Sequence, residues 1–182
     1  TVVENGSVLD KYPYDWSDPP QSGGTTYYVS WSEGDDANDG LSTGSPKQDP
    51  NFGSGVLQPG DSVLLKRGDV WPQITVYSRS EGSASNYIKY GAYGSGARPV
   101  MDAEDAIQST FGVNKDYWWI DNIDFRRGGS SWPSNPFRGQ LYFDTTSSNC
   151  VVTNCVIRES NGTGINVHPD NFVMKDCVIH DN

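Results

Sequence analysis

The chain has 182 residues with 20 Gly and 11 Pro, a composition that favours turns and strands over helices, in a length that suits one domain with a substantial core. Thirteen Lys and Arg stand against 23 Asp and Glu, a net charge of −10, which repels nucleic acid and anionic membranes unless the charge is segregated or bridged by cations. No apolar run approaches the ~20 residues of a membrane-spanning helix, so the sequence predicts neither a nucleic-acid nor a membrane partner.

Residues 1–50 read as a polar N-terminal extension and capping segment. Within it "SDPPQSGG" (17–24) has the look of a connector, and only "TTYYVSW" (25–31) alternates like a strand. The chain begins with Thr1 rather than Met, which predicts that an upstream segment, such as a secretory signal, was removed or that the chain was excised from something longer. Two N-glycosylation patterns, at Asn5 (Asn5-Gly6-Ser7) and Asn161 (Asn161-Gly162-Thr163), point the same way, to an extracellular protein. The stretch "GDDANDG" (34–40) offers Asp35, Asp36, Asn38 and Asp39 as hard oxygen ligands for Ca²⁺. Ala37 occupies a ligand position of the EF-hand pattern and no suitable Glu follows, so an Asx-rich turn is the alternative.

Residues 51–182 change texture. Short apolar runs recur between Gly, Asn, Asp and Ser clusters: "DSVLLKRG" (61–68), "QITVYS" (73–78), "NYIKYGAYG" (86–94), "YWWIDNIDF" (117–125), "NCVVTNCVI" (149–157), "GINV" (164–167) and "NFVMKDCVI" (171–179). Only "AEDAIQSTF" (103–111) suggests a turn or two of helix.

The three nine-residue runs share one polarity pattern. Alternation puts Trp118, Cys150 and Phe172 in one inward column, then Ile120, Val152 and Met174, then Ile123, Cys155 and Cys177, then Phe125, Ile157 and Ile179. A polar pair interrupts each copy, Asp121-Asn122, Thr153-Asn154 and Lys175-Asp176, where the strand must bend. The copies start at 117, 149 and 171, so the later step of 22 residues is one compact repeat and the earlier one of 32 carries ten extra residues, which fits "GGSSWPSNPFRG". Such periods predict a solenoid of about four or five coils. The three cysteines then become stacked thiols in the core, neither a disulfide framework nor a zinc site.

In this frame, "GTGINVHPDNFVMKDCVIHDN" (162–182) resembles one repeat of the right-handed parallel β-helix superfamily of pectate-lyase-like proteins. "TYYVSWSEGDDANDGLSTGSPKQ", "PGDSVLLKRGDVW" and "NYIKYGAYGSGARPVMDA" resemble its N-terminal segment and first coils, in that order. The resemblance implies an all-β right-handed parallel β-helix and a secreted protein that binds or degrades polysaccharide, by lyase or hydrolase chemistry, often with Ca²⁺. Whether the chain is itself an enzyme stays open. Elimination needs a cation beside the uronate and a base, and Arg126, Arg127, Arg158, His168, Lys175 and His180 are the groups near the repeats. His168, Asp170, Arg126 and Lys175 are the catalytic candidates; a turn at His168–Asn171 and a solvated Arg126-Arg127 pair are the alternatives. Outward Trp119 and Trp132 are candidate sugar platforms, or packing for a covering loop. The other functional reading is a structural subunit that stacks end to end into an extracellular fibre. The columns ending at Phe172, Met174, Cys177 and Ile179 have no cover after them, which predicts further coils of a longer chain or self-association through that end.

Overall fold

The computed structural model of the protein describes residues 18–128 and 139–181, together with two antiparallel strands, β1 (Val2–Glu4) and β2 (Ser7–Leu9). From β3 (Thr26–Val29) onward the chain winds as a parallel β-helix. Complete coils are formed by β4 (Ser62–Lys66), β5 (Val70–Pro72) and β6 (Val76–Tyr77); by β7 (Ile88–Tyr93), β8 (Val100–Asp102) and β9 (Phe111–Val113); by β10 (Trp118–Asp121), β11 (Asp124–Arg126) and β12 (Leu141–Phe143); and by β13 (Val151–Thr153), β14 (Val156–Arg158) and β15 (Ile165–Val167). A part coil, β16 (Val173–Lys175) and β17 (Val178–His180), follows. Strands of like position stack into three parallel sheets, ordered β16-β13-β10-β7-β4-β3, β17-β14-β11-β8-β5 and β15-β12-β9-β6. The strand β3, inside the 1–50 segment, is the outer rung of the first sheet.

The inward columns stack as the pattern predicts. Ile120 pairs with Val152 and Val152 with Met174; Phe125 pairs with Ile157 and Ile157 with Ile179. In the middle coils these side chains are fully buried, whereas Met174 is half-buried and Ile179 exposed in the last coil. The interior is aromatic: the Trp118 ring stacks on Tyr90 at 5.3 Å, and Phe111 meets Tyr90, Trp118 and Phe125 edge-on. Their polar atoms find backbone partners, Tyr90 OH donating to the Pro50 carbonyl and Trp118 Nε1 to that of Ser80. Two buried carboxylates fasten β3 to the first full coil. Asp61 accepts the Thr25 and Gln58 N–H groups, and Asp69 accepts the Ser30 and Ser32 hydroxyls, each at 2.7 Å. Burial pushes the Asp69 pKa up, but these serine donors outweigh it and hold the net value below the ordinary one.

The corners explain where the alternation resets. Asn122, Asn154 and Asp176 all have left-handed φ, between 53° and 63°, as do Tyr117, Asn149 and Asn171 at the start of each repeat and Arg127, Glu159 and Asp181 after the second strand. Asn and Asp enter this region at little cost, and they also bond along the axis: Asn154 Nδ2 donates to Asp121 Oδ1, and Asn171 Nδ2 to Asn149 Oδ1. Glu104 and Asp105 sit at φ 50° and 58°, which stops a helix from propagating. The helical turn expected for 103–111 is therefore an isolated turn leading into β9, and the described residues contain no helix. The ten extra residues of the earlier repeat fall mostly between β11 and β12, whose starts are 141 − 124 = 17 apart against 165 − 156 = 9 for β14 and β15.

The first sheet departs from the sequence reading on its outer surface. Trp119 and Thr153 point away from the core yet are only 5% and 7% exposed. The Lys89 ammonium lies 3.6 Å from the Trp119 ring centre, Trp119 Nε1 donates to Thr153 Oγ1, and Thr153 Oγ1 donates to Asp121, itself paired with Lys89. Alternation gives the side of the sheet but not what covers it. All three cysteines are free. Burial pushes the Cys150 thiol up to about 12 and Cys155 well above its ordinary value, whereas half-buried Cys177, hydrogen-bonded by the Cys155 thiol, is held down to about 7.

Two expectations follow from this packing. Val152→Asp places an unpartnered charge in the stacked column and costs about 4 kcal/mol or more, whereas Thr153→Ala leaves the Trp119 indole N–H without its acceptor and costs about 1–3 kcal/mol; chemical denaturation measures both, and a silent Thr153→Ala contradicts the outer network. Because the thiolate is the reactive form, native alkylation followed by mass spectrometry labels Cys177 with a midpoint near pH 7, and labels Cys150 and Cys155 only after unfolding.

Candidate functional site

On the third sheet, register places Tyr77, Gly112, Tyr142 and Asn166 in one outward column. Their inward neighbours Val76, Phe111 and Leu141 are fully buried, so core packing fixes the strands and the outer residues follow by alternation. Two residues beyond each member lies a second row, Arg79, Asn114, Asp144 and His168. Glycine is the odd member of the first row. A Cβ at Gly112 would stand 3.1 Å from Tyr77 Cδ1, so the absent side chain is what lets the Tyr77 ring lean across it. A shallow depression of about 70 Å³ remains, lined by Tyr77, Gly112, Val113, Asn114, Tyr142 and Asp144. Tyr77 and Tyr142 are two coils apart, about 10 Å along the axis at the usual strand spacing.

Polar groups around the depression are fixed in place. Tyr142 OH donates to Asp144 Oδ2 at 2.8 Å, and Asp144 Oδ1 accepts the Thr146 N–H at 3.1 Å. Burial raises the Asp144 pKa, but the Tyr142 hydroxyl and the Thr146 and Thr145 donors outweigh it, and the group stays ionised at neutral pH. Asn114 Oδ1 accepts the Ser78 hydroxyl. The His168 ring packs edge-on against Tyr142, centres 5.9 Å apart, and the Arg79 guanidinium lies 6.0 Å from the Tyr77 ring centre. Aromatic faces, hydroxyls, an amide and one carboxylate can stack against and hydrogen-bond a polyhydroxy ligand. Cleavage of a glycosidic bond usually takes two carboxylates, and this lining presents one.

The residues singled out by sequence reasoning are scattered. His168 borders the depression, and Asp170 is exposed with its carbonyl accepting the Asn149 N–H. Arg126 lies on the second sheet, where it and Arg127 both bond the buried Asp102 carboxylate, at 2.7 and 2.6 Å. They neutralise a buried acid and are not a freely solvated pair. Arg158 pairs with Asp124 on the same face, and His180 with Asp181. Lys175 projects from the first sheet beside Asp176. Trp119 has its ring covered by Lys89, and Trp132 and Asn5 lie outside the described residues. Asn161 is exposed, with its amide donating to Asp105.

The acidic loop is tied to backbone. Asp35 accepts the Ala37 N–H, Asp36 those of Gln48 and Asp49, and Asp39 that of Leu41, while Asn38 donates to the Pro46 carbonyl. The Lys47 ammonium donates to the Asp36 and Asn38 carbonyls and supplies the loop with a cation from its own chain. Among the described residues no three His, Cys, Asp or Glu side chains converge as a metal cluster.

No protein-family model matches the chain. Over 104 residues, 55% of its length, it is 36% identical to a lacto-N-biosidase of Bifidobacterium longum subsp. longum, of which this stretch is 6%. Among solved structures it resembles the GH136 lacto-N-biosidase from Eubacterium ramulus, with a TM-score of 0.66 and 22% identity over 86% of this chain and 34% of that one. It also resembles pectate lyase Pel9A, with a TM-score of 0.57 and 18% identity over 86% of this chain and 48% of that one. The chain thus spans about half or less of the proteins it matches, and its fold is the right-handed parallel β-helix.

Proposed function

We propose that this chain is part of a secreted, carbohydrate-active β-helix protein, and that the outer face of its third sheet holds a stretch of glycan running along the helix axis. The observation that carries the proposal is the placement of Gly112 between Tyr77 and Tyr142. Sugar rings present apolar C–H faces that stack on aromatic rings, and two rings about 10 Å apart along the axis suit every second unit of an extended chain, with Asp144, Asn114 and His168 at hand for hydroxyls. The similar proteins support the reading, since one is named a lacto-N-biosidase and another a pectate lyase. Any bond cleavage, as hydrolase or lyase, belongs in this proposal to the whole protein. Calcium is not part of the proposed face, whose lining presents a single carboxylate, Asp144. At the last coil Val178 and Ile179 are 54% and 47% exposed, an apolar edge that a following coil of the same polypeptide or a second copy would cover.

Affinity electrophoresis against a panel of polysaccharides tests the face. Tyr77→Ala and Tyr142→Ala each weaken retardation about tenfold, as expected for removing one aromatic contact of 0.5–1.5 kcal/mol together with its buried area. Gly112→Leu, which fills the depression, does the same. Trp119→Phe leaves it unchanged. Unaltered retardation in the tyrosine variants, with their thermal unfolding intact, would place the ligand elsewhere.

A further inference from the structure

Resting on that reading, we infer that the face selects an uncharged glycan over a uronate polymer, and that Asp144 sets the choice. The six residues that line the depression include no lysine or arginine, and Asp144 is the one acidic group among them. Its geometry makes it a fixed acceptor. Oδ1 receives the Thr146 N–H at 3.1 Å and the Thr145 and Thr146 hydroxyls at 3.2 Å each, whereas Oδ2 receives Tyr142 OH alone among the described residues. A carboxylate has roughly four lone-pair sites, so Oδ1 is saturated and Oδ2 retains one for an incoming donor.

A sugar hydroxyl supplies that donor, and a uronate carboxylate supplies none. Placed at the same spot, the uronate sets two like charges in contact beside the Tyr142 ring, an arrangement that discriminates strongly between partners. Besides Asp144, the second row carries Arg79 and His168. Arg79 lies against the Tyr77 ring at the far end from Asp144, two coils away in the same row, and His168 packs on the Tyr142 edge. Neither lines the depression. Lyase-type chemistry on uronates requires cations around the substrate, and the cations of the second sheet, Arg126, Arg127 and Arg158, are already neutralised by Asp102 and Asp124. This site therefore suits a neutral chain of hexose or hexosamine units.

The test compares galactan, polygalacturonate and methyl-esterified polygalacturonate in affinity electrophoresis at physiological salt, where the protein's distant charges are screened. Wild-type chain binds a neutral polymer, galactan or the ester, about tenfold or more tightly than polygalacturonate, by contact of like charges. In Asp144→Asn, which keeps the shape and removes the charge, that ratio falls toward one. Tyr77→Ala weakens binding to the neutral polymers about tenfold. Polygalacturonate bound as tightly as the neutral polymers, and still weakened in Tyr77→Ala, overturns the selectivity and leaves the glycan face standing, as does an unchanged ratio in Asp144→Asn. Polygalacturonate binding that disappears in Arg79→Gln assigns the opposite selectivity to the same face. No binding of any polymer overturns the face itself and this inference with it.

Discussion

Everything on the surface of this protein depends on the axial stacking of its inward columns. Parallel strands at a spacing of about 4.8 Å in fixed register place each side chain directly over its counterpart one coil away. The core enforces that register, because a slip of one residue would turn Val76, Phe111 and Leu141 out to water together. Outer positions inherit the same order, whether they are then covered, as Trp119 and Thr153 are, or left open. A single glycine in an outer row then becomes a gap whose walls, Tyr77 and Tyr142, come from coils on either side.

The corners make the stack possible and shape the charge pattern. Repeated left-handed residues turn the chain at the same place in each coil; where they are Asn or Asp the side chain also ties neighbouring coils together, and where they are Arg127 or Glu159 it enters the ion pairs of the second sheet. Those pairs are locally closed. Asp102 is buried, its pKa raised by burial and brought down further by Arg127 and Arg126, so the arginines serve the fold before they can serve a substrate. In the outer rows of the third sheet no ion pair forms among the described residues, and Asn114, Tyr142 and Asp144 there face the depression.

How much of this was legible in the sequence depends on segment length. Three nine-residue echoes span two strands and a corner each, enough to read the columns, the bend and the place of the insertion. The third sheet contributes two or three residues per coil, at starts 76, 111, 141 and 165, and such uneven steps hide Gly112 between its tyrosines. Alternation puts Trp119 on the outer side and leaves platform or packing open, because the Lys89 and Thr153 that cover it come from other coils. In the acidic loop the oxygens were visible, while the return of Lys47 to the Asp36 and Asn38 carbonyls, 11 and 9 residues on, was not. Asp144 and Tyr142 could have been noticed as a polar pair flanking a core Phe143, although nothing local to "QLYFD" tells which row they join.

The central claim is spatial: a glycan lies along the third sheet, across Gly112. A crystal structure of the chain grown with a bound oligosaccharide tests it most directly. The account predicts sugar rings against Tyr77 and Tyr142, the chain direction along the helix axis and one hydroxyl on Asp144 Oδ2. A glycan ordered on another sheet, with the Tyr77–Tyr142 depression holding only solvent, would contradict it.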